Sequence, residues 1–356
     1  MSNLNTEHSP ISSTAELAKH LGLSRWTVSR VLNQHPGVKE ETRTRVLDAI
    51  AALGFQPNQF ARGLKGASSN LVGLCFQQLE APILARKTTI LQKHLRAQGY
   101  RGVLEMTDGD RHVEATILNH FLSIGVDGIV LVGSTLQEED SIVEQLLRSG
   151  KPVVAIDPVY PLPFPQVLLD RRKAMMRILE HLFGLGHRRF ALLGFDSDQL
   201  YREYRRAGLV EGAAQLGLDL EADFDSFWLP GFQDQDYGYG AALARKFLEK
   251  AAPRPTGLIA LNDRIAIGAM RVLQDAGFEI PRHFSVLGFD NIECTGWSAP
   301  ALTTIDQRSE ETMRTAMNIL TQAIRQDGEG IPAQHWIEPA LIERASTGRS
   351  LPQLND

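Results

Sequence analysis

The sequence is poor in the features that mark secreted, membrane-spanning or metal-binding chains. Its 356 residues hold two cysteines, Cys75 and Cys294, and neither belongs to a CxxC pair. A disulfide framework or cysteine metal site is therefore not expected, and both thiols read as reduced and structural. No apolar run approaches the ~20 residues of a membrane span. The opening MSNLNTEHSP lacks the basic-then-apolar order of a signal peptide, which points to the cytoplasm and away from membranes. GxxxxGK[ST], HExxH and GxSxG are all missing. Gly184-Leu185-Gly186 starts like a dinucleotide fingerprint, but Arg189 stands at the third glycine position and the segment precedes a strand-like run. His187 reads as a helix-terminal cation rather than a catalytic base. The expectation is a protein that is not an enzyme and carries neither cofactor nor metal.

What is present is ordinary globular composition, 43% hydrophobic and 22% charged, in a length that suits two or three domains of ~100–150 residues each. A net charge of −5 argues at first against a nucleic-acid partner, but the average hides a split. Residues 1–66 carry eight Lys and Arg against five Asp and Glu, a balance of +3 that leaves −8 for the rest. A basic head on an acidic body is expected when one small part touches phosphate.

From Ser13 to Leu53 the apolar residues follow helical spacing: Leu17 and Leu21, then Val28, Val31 and Leu32, then Val46, Ile50 and Leu53. Ser13 with Glu16 forms a capping-box pair, Gly22 ends the first helix, and Ser24 caps a second that runs to Asn33. A third spans Glu40 to Leu53 and stops at Gly54; Lys39 offers it no side-chain cap. The Gly22-Leu23-Ser24 connection is the tight turn of a helix-turn-helix. On the second helix Arg25, Trp26, Ser29 and Arg30 share one arc and Val28, Val31 and Leu32 the opposite one. Such a face suits a major groove, arginine meeting guanine edges while Thr27 or Ser29 meets phosphate or base. A solvated face on a small bundle is the plainer alternative.

After residue 70 short apolar runs alternate with helical stretches: residues 71–76, 128–132, 152–156, 190–193, 258–261 and 284–289. Continuous β-branched runs suit strands buried on both faces, hence parallel sheets with crossover helices. The number of such units suggests two α/β lobes, with the proline-rich stretch from Pro158 to Pro165 as the passage between them. Asp157, Asn262 and Asp290 each directly follow such a run, where ligands bind in sheets of this kind. Capping the next helix is the plainer role for Asp263, and for Asp290.

Thr27-Val28-Ser29-Arg30-Val31-Leu32-Asn33, Gly54-Phe55-Gln56-Pro57-Asn58 and Ala61-Arg62-Gly63-Leu64 resemble the signature of the lac-repressor-type (LacI/GalR) family of bacterial transcription regulators. Val126-Asp127-Gly128-Ile129, Leu185-Gly186-His187-Arg188-Arg189, Leu261-Asn262-Asp263-Arg264, Leu287-Gly288-Phe289-Asp290-Asn291 and Pro300-Ala301-Leu302-Thr303-Thr304 continue the resemblance in order along the chain. It implies a helix-turn-helix DNA-binding head in residues 1–57, a hinge helix and linker in 58–70, and an effector-binding and dimerisation domain in 71–356. That domain would be two Rossmann-like α/β lobes of periplasmic-binding-protein type, one of about 71–165 plus 308–328, the other of about 166–300 plus 329–347. By the resemblance, Ser24, Arg25, Trp26, Thr27, Ser29, Arg30 and Asn33 contact the major groove of double-stranded DNA. Asn58, Ala61, Arg62 and Leu64 enter the minor groove, Leu64 as an apolar wedge.

In the body the resemblance assigns a sugar-like effector to Asp157, Arg205, Asn262 and Asp290. Gln77 offers hydrogen bonds from a loop that departs from the family pattern and also contains Gln78 and Arg86. Phe232 or Trp228 would supply a stacking aromatic. The implied partners are a pseudo-palindromic operator, a small sugar or sugar derivative, and a second copy of the chain, paired through the lobes without a tetramerising heptad tail. From another class, a solute-binding or sugar-metabolising protein with an accessory helical head is the alternative.

Overall fold

Three short helices form the N-terminal unit, and their ends fall where caps and glycines dictate. Helix α1 (Thr14–Leu21) begins under Ser13, whose hydroxyl accepts the Glu16 N–H at 3.2 Å, and ends at Gly22 in the left-handed region with φ 63°. Helix α2 (Arg25–Leu32) starts where Ser24 Oγ accepts the Thr27 N–H at 3.0 Å. Helix α3 (Glu40–Leu53) has no side-chain cap at Lys39, but Glu40 and Glu41 complement its N-terminal dipole and Gly54 closes it. Leu17, Leu21, Val28, Val31, Val46 and Phe55 make the core. Arg45 Nη2 ties α3 to α1 by donating to the Leu21 carbonyl at 2.6 Å.

The computed structural model describes residues 11, 13–32, 35–55, 68–195, 200–230, 236–251, 254–325 and 330–351. Asn33, Asn58, Ala61, Arg62, Leu64 and Phe232 lie outside the described residues. The chain divides into two units, residues 1–69 and residues 70–356.

In the larger unit, strands β1 (Leu71–Phe76), β2 (Arg101–Met106), β3 (Gly128–Val132), β4 (Val153–Ile156) and β5 (Gln166–Leu169) alternate with helices α4 (Pro82–Ala97), α5 (Arg111–Ser123) and α6 (Ser141–Ser149). The chain continues with α7 (Arg171–Gly184), β6 (Phe190–Leu193), α8 (Leu200–Leu216), β7 (Phe224–Phe227), α9 (Tyr237–Leu248), β8 (Gly257–Ala260), α10 (Asp263–Asp275) and β9 (Ser285–Asp290). It closes with β10 (Thr303–Asp306), α11 (Ser309–Ile324), β11 (Gln334–Ile337) and β12 (Ala340–Ile342). Two six-stranded sheets result, ordered β11-β5-β4-β3-β1-β2 and β12-β10-β9-β8-β6-β7. The first is parallel throughout; in the second β12 runs antiparallel to β10. All six residues of β1 are buried, as a strand covered on both faces requires.

Three expectations need correction. The proline-rich stretch is not the passage between lobes, because β5 beyond it stays in the first sheet, Ala155 and Ile156 pairing with Gln166 and Val167. For the same reason residues 166–169 belong to the first lobe, and so does β11, which pairs with β5 from Gln334 to Ile337. The lobe boundaries drawn at residues 165 and 329 are therefore displaced by whole strands. His187 is not a helix-terminal cation. It is buried, its Nε2 lies 2.9 Å from Ser285 Oγ and 3.1 Å from the Gly348 carbonyl, and its Nδ1 lies 2.8 Å from Thr256 Oγ1. Burial pushes its pKa down and favours the neutral ring.

The chain thus passes between sheets three times: from β5 into α7, from β10 through Gln307 and Arg308 into α11, and from β11 through Glu338 and Pro339 into β12. Helix α7 packs on α8 and β12, whereas α11 packs on α4, β4 and β5 of the first lobe.

Candidate functional site

In the head, Ser24, Arg25 and Trp26 are exposed at the start of α2, with Thr27, Ser29 and Arg30 half-buried behind them. Val28 and Val31 face the core, so the amphipathic split read from the spacing is present. Trp26 is 66% exposed, unusual for so large an apolar side chain. The Arg30 guanidinium lies over its ring at 4.4 Å and also meets His35 Nδ1 at 2.7 Å. Arg43 Nη2 reaches the His35 carbonyl at 3.1 Å, tying α3 to His35. The result is a cationic and aromatic surface held by local contacts.

In the body, charged side chains gather at the carboxyl ends of strands from both sheets. Asp157 follows β4 with a left-handed φ of 47°. Its Oδ1 accepts the Leu169 N–H at 2.9 Å and Arg171 Nη1 at 2.7 Å, while Oδ2 faces Lys87 Nζ at 3.5 Å. All three charged groups are buried. Burial alone would raise the Asp157 pKa, but Arg171, Lys87 and the two hydrogen bonds hold the carboxyl well below the usual range. Burial lowers the Lys87 ammonium, against the pull of Asp157.

Asp290 ends β9 with φ 122° and accepts from the Gln307 amide. Burial pushes it up to about 6, opposed by Arg205, Gln307, Lys87 and Arg171, so groups from both lobes act on one carboxyl. Arg205 is buried with its guanidinium 4.3 Å above the Phe289 ring. Asn262 caps α10, its side chain accepting the Ile265 N–H at 2.9 Å. The cap expected of Asp263 thus falls to its neighbour. Asp263 itself turns inward, fully buried, accepting from the Ile292 N–H at 2.9 Å and from Thr304 Oγ1 at 2.5 Å. Burial, reinforced by Asp290, pushes it up to about 8.

The remaining expected residues are more peripheral. Gln77 packs over Gly133, where an added methyl would lie 3.3 Å from its amide carbon. Trp228 is exposed rather than core. Arg86 Nη1 reaches from α4 to the Asn291 carbonyl at 3.3 Å, joining one lobe to the other. The structure brings Asp157 and Asp290 into one charged cluster with Arg205, and it adds three residues the sequence reading missed: Lys87, Arg171 and Gln307. Only the repeated basic run Arg171-Arg172-Lys173 after Asp170 hinted at one of them.

Comparison with known proteins agrees with this architecture. Residues 15–58 match the model for bacterial regulatory proteins of the lacI family, and residues 179–347 match the periplasmic binding protein-like domain. The catabolite control protein A of Priestia megaterium is 28% identical over 328 residues, 91% of this chain and 96% of that protein. The HTH-type transcriptional repressor PurR of Mannheimia succiniciproducens is 29% identical over 339 residues, covering 93% and 97% of the two chains. A crystal structure of the lac repressor dimer bound to operator and the anti-inducer ONPF has the same fold, with a TM-score of 0.83 over 96% of this chain and all of that one at 24% identity. A head that matches the lacI family of bacterial regulatory proteins thus precedes a body of two α/β lobes that matches the periplasmic binding protein-like domain.

Proposed function

We propose that this chain is a sequence-specific DNA-binding repressor of transcription, with operator affinity set by a small sugar-like effector held in the two-lobed body. The observation that carries the reading is the face of exposed Arg25 and Trp26, with half-buried Arg30 over the Trp26 ring, on the second helix of a head that matches the lacI family. The relatives named above are a control protein and a repressor, which supports a regulatory rather than catalytic role. The lac repressor of like fold was crystallised as a dimer on operator with a small molecule, and a homodimer on a pseudo-palindromic site is the corresponding arrangement here. Among the described residues no helix is long and apolar enough to cross a membrane, in keeping with action on cytoplasmic DNA.

Asp157 and Asp290 at strand ends of the two sheets, with Arg205 of α8 acting on Asp290, are the groups through which an effector would couple lobe arrangement to the head. Such coupling is reciprocal: an effector that weakens DNA binding is itself bound more weakly on DNA. The test is duplex binding by the full chain across a salt series. A regulator loses affinity steeply as salt rises and keeps a specific margin for a palindromic site over random duplex. Equal weak binding to both would refute the reading.

A further inference from the structure

Just beyond the second helix stands a histidine whose position is set by three hydrogen bonds. His35 donates its backbone N–H to the Arg30 carbonyl at 3.0 Å, its own carbonyl accepts Arg43 Nη2 at 3.1 Å, and its Nδ1 accepts the Gly37 N–H at 3.3 Å. The same Nδ1 lies 2.7 Å from Arg30 Nη2. A backbone N–H and a guanidinium can only donate, so Nδ1 is an acceptor from both and the ring carries its proton on Nε2.

The Arg30 guanidinium is thereby held by three neighbours. Its carbon lies 4.4 Å above the centre of the Trp26 ring, His35 takes its Nη2, and a methyl group on Gly37 would fall 2.7 Å from that same nitrogen. Gly37 does not stand in the left-handed region, so alanine there would displace the guanidinium and leave the backbone as it is. His35 is exposed, and contacts of this kind at the surface add little to stability. What they supply is orientation. A free arginine loses rotamer freedom when it docks on a base, whereas a held one has lost it already.

We propose that His35 is a positioning residue for base reading, holding Arg30 over Trp26 so that the guanidinium meets a base edge in the major groove already oriented. The proposal rests on the reading of the head as a DNA-binding unit, and it gives His35 no contact of its own with DNA. A proton on Nδ1 would turn the acceptor into a donor facing Arg30 and Gly37, and would set a second cation against the guanidinium. The other charged groups that bear on His35 are Arg43 of α3, which holds its carbonyl, and Glu40, paired with Arg43 at 3.4 Å. Acidification therefore releases Arg30.

The test selects sites for the full chain from a randomised duplex library at pH 8, then measures binding to the selected duplex and to a random one at pH 8 and pH 5.5 at fixed salt. His35→Ala and Gly37→Ala should each weaken binding to the selected duplex about tenfold, change the random one by less than about twofold, and relax the base position that Arg30→Ala relaxes. His35→Asn, whose Oδ1 keeps an acceptor near the place of Nδ1, should restore the margin and hold it at pH 5.5, where wild type loses it. In an Arg30→Ala background His35→Ala should add nothing, as expected of a residue that acts through another. Additive losses or equal weakening of both duplexes overturn the proposal, since His35 would then touch DNA itself or serve the fold alone. Tighter binding by His35→Ala also overturns it, making the histidine a restraint on Arg30. If no site is selected at all, the DNA-binding reading fails and the proposal with it.

Discussion

Arg171 Nη1 donates to Asp157 Oδ1 at 2.7 Å, joining the end of a first-lobe strand to the first turn of a second-lobe helix at the point where the chain changes lobes. The same oxygen takes the Leu169 N–H, so a single carboxylate fixes both the last residue of β5 and the first of α7. Asp157 stands as a fastening at the passage as well as a member of the charged cluster.

Asp157→Ala should accordingly be expensive. It leaves Lys87 and Arg171 buried beside each other, and removing one partner of a buried ion pair costs about 3–5 kcal/mol. Urea unfolding of the full chain measures it. A loss below about 1 kcal/mol, typical of exposed pairs, would show that the fastening carries no load.

Asp263 gives the body a pH dependence of defined sign. A carboxyl raised to about 8 in the folded state binds a proton that the unfolded chain has already lost. Stability therefore falls as pH rises from the unfolded value near ~4 towards 8, by at most ~1.4 kcal/mol per pH unit. Asp263→Asn keeps an acceptor for the Ile292 N–H and should flatten the slope between pH 6.5 and 8.5. An unchanged slope in Tm against pH would contradict the assignment.

His187 works in the opposite sense. Its folded pKa lies below the ordinary value because burial disfavours the charged ring, so its contribution is present at neutral pH and lost as pH falls through the unfolded value near ~6.5. The stability difference between wild type and His187→Gln should shrink from pH 7.5 to pH 5. Because the ring holds the Gly348 carbonyl against Ser285, the variant should also be cut more readily by protease in the segment around Gly348.

Trp26 separates reading from folding. Its ring is mostly exposed and touches the Arg30 guanidinium, so Trp26→Ala should alter head stability by no more than ~1 kcal/mol. Indole can meet a thymine methyl but cannot make a bidentate polar contact. Selection from a randomised duplex library should show wild type and Trp26→Ala preferring different bases at one position of each half-site. Identical selected sites would remove Trp26 from recognition.

Much of this was legible because local chemistry decides it. Ser13, Gly22, Ser24 and Gly54 bound helices by hydrogen bonds and backbone freedom that operate within a few residues, and the head helices fall where they indicate. The buried runs of β1, β3 and β4 announce themselves by unbroken apolar character. Lys87 did not, because a lysine on an amphipathic helix reads as a solvated face, and only the distant Asp157 explains its burial. Gln334-His335-Trp336-Ile337 carries three exposed residues and is a strand only because β5 offers it an edge. Gln166-Val167-Leu168-Leu169 is too short to declare which sheet it joins. Register between segments far apart in sequence is settled by packing, and no local pattern records it.

The three passages between sheets also set an order of completion. The first lobe begins at Leu71, yet its helix α11 and edge strand β11 are supplied by residues 309–324 and 334–337, after almost the whole second lobe has been made. A ribosome translating from the N-terminus therefore releases the second lobe's central strands while the first still lacks a covering helix and a strand. The first lobe is completed only by β11 and the second only by β12 just after it, so a nascent chain stalled before residue 309 would present the apolar faces of β4 and β5 to chaperones.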